Sequence, residues 1–237
     1  MVEAARSGEL PAWEIDSASL RVQEAKRKAA LLAVTSSAVS PQGEQRALAT
    51  SVQQVARDAI TLVRDQRRWL PLSASASTRL GIIDLHARHQ SPVEESSEEG
   101  QLATVLADWP PPQRCLILRG PESVKQAEVE SLLLKSDAVL VATRDAYRER
   151  WQAEVVCQAL VGGRPAVVVA LGGPYDLLAF PEAPCYLAAY KDQPCLLRAL
   201  GEVLFGLLAP SGRLPVPLPG LYPIGHALPR PEMKPVA

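Results

Sequence analysis

The chain has 237 residues, the length of one large domain or of one domain with an appendage. Its composition is ordinary for a globular protein, with 47% hydrophobic and 22% charged residues. The 25 basic and 26 acidic side chains give a formal net charge of −1, which argues against electrostatic binding of nucleic acid. No apolar run approaches the roughly 20 residues of a transmembrane helix. We therefore expect neither nucleic acid nor a membrane as a partner.

The first ten residues argue against a signal peptide. They carry charges at Glu3, Arg6 and Glu9 and contain no apolar core. A cytoplasmic location is therefore the default expectation.

The cysteines and histidines are too scattered to predict a metal site. The four cysteines form no CxxC pair, and of the three histidines only His86 and His89 are close in sequence. Cys115 and Cys185 lie in apolar runs, where a free thiol packs as a small hydrophobic group. We expect no metal, no disulfide and no cofactor, and hence a reducing compartment.

The N-terminal part of the chain predicts two helices joined by a linker. The first covers residues 14–32, with Asp16 as its N-cap, and the second covers residues 44–58. Residues 35–43 (TSSAVSPQG) are small, polar and interrupted by proline, which is typical of a linker. The apolar stripe of the first helix comprises Ile15, Val22, Ala25, Ala29 and Leu32. The apolar face of the second comprises Leu48, Val52, Val55 and Ala59.

From residue 60 onward, short apolar runs alternate with helical patterns. After an apolar run at 60–64, the predicted strands cover residues 79–84, 114–119, 138–143, 165–171 and 185–190. An acidic loop at 94–99 leads into a helix containing residues 102–109. The later predicted helices cover residues 121–135, a segment capped by Asp145 and closed by Gly162, residues 175–178, and 194–207.

Several of the strands are continuously apolar, which is typical of strands buried on both faces. Their alternation with helices predicts an α/β fold with a doubly wound, mostly parallel sheet of about five to six strands and helices on both faces, a three-layer sandwich. We assign residues 44–208 to this sandwich. The proline-rich residues 209–237 are expected to form an extended tail packed on it.

A doubly wound sheet binds ligands at the carboxyl ends of its strands. The candidate ligand-binding residues at those ends are Asp84, His86, Arg144, Asp145, Gly172 and Gly173. The two glycines could present backbone amides to an anion, but the chain lacks GxGxxG and GxxxxGK[ST] motifs, which favours a simple tight turn. For the charged residues, structural roles are the simpler interpretation. Asp145 can serve as an N-cap, Asp176 can sit in the first turn of a helix, and His86 can lie in a solvated loop.

A series of short motifs resembles the C-terminal α/β sandwich domain of glycoside hydrolase family 3, closest to its β-N-acetylhexosaminidase branch. The resemblance extends from about residue 45 to residue 228. The motifs are, in chain order, residues 55–64 (VARDAITLVR), 70–72 (LPL), 167–177 (VVVALGGPYDL), 189–190 (AY), 202–206 (EVLFG), 210–216 (PSGRLPV) and 222–228 (YPIGHAL).

The resemblance also implies what this chain lacks. Residues 1–34 resemble the last helix of the family's (β/α)8 barrel, and in this branch the nucleophilic Asp and the His–Asp acid/base dyad lie on that barrel. No catalytic residue can therefore be assigned to this chain. The resemblance implies an accessory domain that is inactive alone, that partners a catalytic barrel in cis or in trans, and that serves hydrolysis of a carbohydrate substrate with terminal N-acetylhexosamine.

Two other functions remain open on the residues alone. One is a stand-alone, noncatalytic α/β module that binds a glycan or a protein. The other is a small-molecule enzyme that uses the strand ends near Asp84, Asp145 and Gly172.

Overall fold

The structure is a computed structural model that describes residues 5–8, 10–32, 42–72, 75, 77–86, 101–110 and 113–228. The chain divides into two compact units, residues 1–46 and 47–237. Most of the predicted linker, the acidic loop at 94–99, His89 and the end of the tail lie outside the described residues. None of the helices in the described ranges combines the length and the hydropathy needed to cross a bilayer.

The unit formed by residues 1–46 contains helix α1, Ala12–Leu32. Its start lies four residues before Asp16, so the prediction that Asp16 is the N-cap is wrong. Of the predicted apolar stripe, Ile15, Val22 and Ala25 are exposed. Trp13 and Leu20 are also exposed, so α1 presents apolar side chains to solvent.

The second unit holds the sheet. Helix α2, Gln42–Ala59, begins in the first unit and continues into the second. The remaining elements, in chain order, are β1 (Thr61–Asp65), β2 (Leu80–Leu85), α3 (Gln101–Leu106), β3 (Gln113–Leu118), α4 (Gln126–Leu134), β4 (Ala138–Thr143), α5 (Arg150–Leu160), β5 (Ala166–Ala170), β6 (Cys185–Ala188) and α6 (Pro194–Leu204). Short 3-10 helices cover Pro121–Ser123 and Pro174–Ala179.

The six strands form one sheet in the order β1-β6-β5-β4-β2-β3. All neighbouring pairs are parallel except β1 and β6, which are antiparallel. The central strands β4 and β5 are fully buried, as their continuous apolar sequences predict. The predicted doubly wound, mostly parallel α/β fold is confirmed.

Each face of the sheet carries its own apolar core. Alternating side chains of the strands pack on one face against α3, α6 and the end of α2. The opposite side chains pack against α4, α5 and the residues that follow β5. Because β2, β4 and β5 are parallel neighbours, their carboxyl ends lie together along one border of the sheet, its carboxyl edge.

Two predicted helix starts are corrected by the structure. The predicted helix over 121–135 begins only at Gln126, because residues 121–123 form a separate 3-10 turn. The helix that Asp145 was expected to cap begins at Arg150. Asp145 instead has a positive φ of 59°, and its backbone carbonyl accepts hydrogen bonds from the amides of Arg148 and Glu149.

The predicted apolar face of α2 faces solvent. Leu48, Val52 and Val55 are 65%, 45% and 68% exposed, whereas Ala56, one turn after Val52, is buried. The helix therefore approaches the sheet through a small side chain and leaves a stripe of larger apolar side chains uncovered.

The segment after α6 runs along the outer side of β1. The amide of Gly212 donates to the carbonyl of Ile60, and the amide of Leu228 donates to that of Leu62. Leu214 and Leu218 are buried in the core on one face of the sheet. A Cβ at Gly212 would lie closer than 3.0 Å to the backbone of Ala59, so this approach requires glycine.

We expect Gly212→Ala to lower the free energy of unfolding by about 1–3 kcal/mol, because the added methyl group would force the tail away from β1. Urea unfolding measures the effect. Gly172→Ala is the matched control, since its Cβ would have only ordinary contacts, 3.8 Å or more from its nearest neighbours. Equal stability of the two variants would contradict the close-approach account.

Candidate functional site

Charged side chains converge at the carboxyl edge of the sheet. Asp84 lies near the end of β2, and Arg144 directly follows β4, the strand beside it. Asp192 follows β6, on the other side of β5. The sheet thus brings together groups that are distant in sequence, two of which the sequence predicted as candidates.

Arg144 is the centre of this cluster. Its Nη1 donates to Asp84 Oδ1 at 2.6 Å and to the carbonyl of Leu85 at 3.0 Å, and its Nε donates to Asp192 Oδ2 at 3.1 Å. The guanidinium group is buried, as is Asp84. Since a buried ion pair is stable only when its hydrogen bonds are made, Arg144 and Asp84 depend on each other.

The backbone of Arg144 is fixed by a side chain of helix α5. Gln152 Oε1 accepts from the Arg144 amide at 2.9 Å, and Gln152 Nε2 donates to the Arg144 carbonyl at 2.7 Å. Gln152 is fully buried. These two bonds replace the strand pairing that ends at Thr143 and position the arginine for its carboxylate partners.

His86 is buried, so the expectation of a solvated loop position is wrong. Its Nε2 lies 3.3 Å from Asp84 Oδ2, but neither atom makes a hydrogen bond of good geometry in the described part of the chain. Burial alone would raise the pKa of Asp84, but His86 and Arg144 outweigh it and lower that pKa below its usual value.

A second buried carboxylate lies at the end of β4. Asp176 Oδ2 accepts a hydrogen bond from Thr143 Oγ1 at 2.7 Å. Burial raises the pKa of Asp176 to about 6, and the bond from Thr143 offsets this only in part. Asp176 does lie in the first turn of a helix, as predicted, but it is a buried group of a 3-10 turn.

The remaining candidates do not join the charged cluster. Gly172 and Gly173 lack the positive φ expected of a tight turn, and a Cβ at either would meet only ordinary contacts. The turn lies near the backbone of Arg144 and Asp145, and the helix after it is a six-residue 3-10 helix. Two surface cavities of about 510 and 570 Å³ lie along β3 in the described part of the chain, and none of the six candidates lines either of them.

Sequence reasoning missed Asp192 and Gln152. Asp192 follows a predicted strand, so the carboxyl-edge rule could have identified it. Gln152 carried no signal, because an uncharged side chain inside a helix has many structural uses.

The cluster is buried and its hydrogen bonding is only partly satisfied. Arg144 binds two carboxylates and a backbone carbonyl through Nε and Nη1, whereas Asp84 Oδ2 and both ring nitrogens of His86 have no hydrogen-bond partner in the described part of the chain. Within the described ranges, no three His, Cys, Asp or Glu side chains are arranged to hold a metal ion. The geometry therefore supports a structural role in fixing the strand ends.

Comparisons with solved structures identify the same architecture in larger proteins. A family 3 β-N-acetylglucosaminidase from a Paenibacillus species matches 91% of this chain with 23% identity and a TM-score of 0.66. A fungal multi-domain family 3 β-N-acetylglucosaminidase matches 96% with 21% identity and a TM-score of 0.70. A β-glucosidase from Listeria innocua matches 92% with 18% identity and a TM-score of 0.59.

The chain has the fold of part of a family 3 glycoside hydrolase. It spans 41%, 26% and 34% of the lengths of these three structures. No protein-family model and no curated protein matches the sequence. The predicted resemblance to family 3 is confirmed at the level of the fold.

Proposed function

We propose that this chain is the accessory α/β sandwich of a family 3 glycoside hydrolase of the β-N-acetylhexosaminidase type. In this proposal, a (β/α)8 barrel in cis or in trans carries the groups that hydrolyse terminal N-acetylhexosamine by a retaining mechanism. The observation that carries the proposal is the share of this chain, and of each similar structure, that the two have in common. Nearly the whole chain matches these glycosidases, yet it spans less than half of each.

The internal geometry supports an accessory role. Most retaining glycosidases use two carboxyl groups about 5–5.5 Å apart on either side of a sugar, and the branch that this chain resembles uses a nucleophilic Asp with a His–Asp dyad. Asp84 is instead paired with Arg144, and Asp176 with Thr143, and both carboxylates are fully buried. Neither is available as a nucleophile or as a general acid.

The exposed apolar side chains of α1 and α2 support the proposal that another domain or subunit packs on this chain. Leu48, Val52 and Val55 form a stripe on α2, and α1 exposes Trp13 and Leu20. Side chains of this kind are ordinarily covered by a domain or subunit contact. A catalytic barrel is the partner that the family resemblance implies.

The nucleotide sequence around the gene tests this proposal. We expect a frame upstream of the Met1 codon, or elsewhere in the same transcription unit, that encodes alternating strands and helices of a (β/α)8 barrel. An in-frame stop codon upstream together with no barrel-encoding frame in the unit would contradict the proposal. Calorimetric titration with N-acetylglucosamine oligomers would then decide for or against the stand-alone glycan-binding module.

A further inference from the structure

The two edge strands of the sheet, β1 and β3, differ in whether another segment of the chain covers their outer side. The outer side of β1 is covered by the C-terminal segment through the backbone bonds from Gly212 and Leu228. The ring of His226 adds a contact of 3.0 Å to the carbonyl of Val63. Covering an edge in this way blocks further strand pairing.

The outer edge of β3 has no such cover in the part of the chain that the structure describes. The backbone bonds of β3 join it to β2, and Arg114 and Cys115 are exposed. β3 is the least buried strand of the sheet. An open edge of six residues presents a row of unpaired amides and carbonyls to any strand that approaches it.

Grooves flank β3 on both faces of the sheet. On one face the groove is bounded by Ala103 and Asp108, near the end of α3, and by Gln113. On the other face it is bounded by Arg114 and by Glu128 of α4. On each face, a groove therefore separates β3 from the neighbouring helix.

We propose that β3 pairs antiparallel with β3 of a second copy of this chain, which would join two six-stranded sheets across a two-fold axis. A two-fold contact is closed, so it produces a dimer and no filament. With Cys115 opposite Cys115, Arg114 of one copy faces Leu116 of the other, and the two arginines are not opposite each other.

Charge favours a second copy as the occupant. Arg114 is the charged residue within β3, and in the described part of the chain it has no ion-pair partner. It lines the same groove as Glu128, which is exposed and in that part forms an ion pair only with Lys125, the residue before α4. A two-fold axis through Cys115 would place the Arg114–Glu128 grooves of the two copies side by side, so that Arg114 of each copy can approach Glu128 of the other.

The sequence around β3 also limits the length of a strand that can pair with it. Prolines at 110–112 precede the strand, and Pro121 follows it closely. Proline cannot donate to a strand ladder, so pairing is confined to about these six residues. A partner strand of the same length and the same flanking breaks, such as β3 itself, fits this limit.

Sedimentation equilibrium of the full chain at low to high micromolar concentration tests the proposal. We expect a reversible monomer–dimer equilibrium. Cys115→Lys should abolish the dimer, because two lysines would face each other at the centre of the ladder. Cys157→Lys is the matched control, since Cys157 is an exposed cysteine on α5, away from this edge, and should leave the equilibrium unchanged.

Charge reversal provides an independent test that does not alter the strand centre. Arg114→Glu should raise the dimer dissociation constant about tenfold or more, and adding Glu128→Lys should restore it. Circular dichroism confirms that each variant is folded. A chain that is monomeric at every concentration would overturn the proposal. So would a dimer that Cys115→Lys and Arg114→Glu leave unaffected.

Discussion

Arg144→Met is expected to lower the free energy of unfolding by about 3–5 kcal/mol. The substitution keeps the aliphatic bulk but leaves the carboxylate of Asp84 buried without its 2.6 Å partner. It also removes the bond to the carbonyl of Leu85 at the end of β2. Urea unfolding followed by circular dichroism measures the loss.

The double variant Asp84→Asn/Arg144→Met separates charge from packing. Removing the buried carboxylate should recover a large part of the stability that Arg144→Met loses, because the unpaired charge is the main cost. Arg57→Met is the control, since it breaks a two-bond ion pair with Glu202 that lies nearer the surface, and it should have a much smaller effect. A loss no larger than that of the control would contradict the account of the cluster.

The second large effect is a dependence of stability on pH that arises from Asp176. Its pKa is about 6 in the folded protein against 3.8 for an unperturbed aspartate. Between these two pH values the folded chain binds more protons at this group than the unfolded chain does. The free energy of unfolding should therefore fall as the pH rises from 4 to 6, by about 2 kcal/mol from this group.

Asp176→Asn should remove this contribution. The difference in unfolding free energy between the wild-type chain and this variant should shift by about 2 kcal/mol, in favour of the variant, between pH 4 and pH 7. The wild-type chain must be compared with the variant at each pH, because Asp84 has the opposite effect. Its pKa is lowered, so its contribution to the free energy of unfolding is lost as the pH falls. Carboxyl chemical shifts in NMR provide a second readout.

The same NMR titration contains its own control. Hydrogen bonds from Arg79 hold the pKa of Asp137 to about 2, so this carboxyl should titrate far below Asp176. A midpoint for Asp176 near 4 would contradict the effect of burial, even if the Asp176→Asn variant failed to fold.

The sheet was predictable from the sequence because its central strands are chemically distinctive. The runs that became β4 and β5 are apolar at every position except Thr143, a pattern that is typical of strands buried on both faces. The order of the strands carried no comparable signal. β3 looks like an interior strand in sequence, yet it lies at the edge with Arg114 and Cys115 exposed.

The site was predictable in its position but not in its contacts. The rule that strand ends converge placed Asp84 and Arg144 at the same edge, but their ion pair depends on β2 and β4 being neighbours. The burial of His86 depends on distant parts of the fold. The prediction that Asp145 is an N-cap was wrong because Asp145 itself has a positive φ, and the helix begins only at Arg150.

A turnover assay decides whether this chain is an accessory sandwich without its own catalytic groups. The pure chain is incubated with 4-nitrophenyl N-acetyl-β-glucosaminide, and release of nitrophenol is followed. We expect a rate equal to the rate without protein. Sustained release above that background, abolished by substituting a carboxylate of this chain, would contradict the claim.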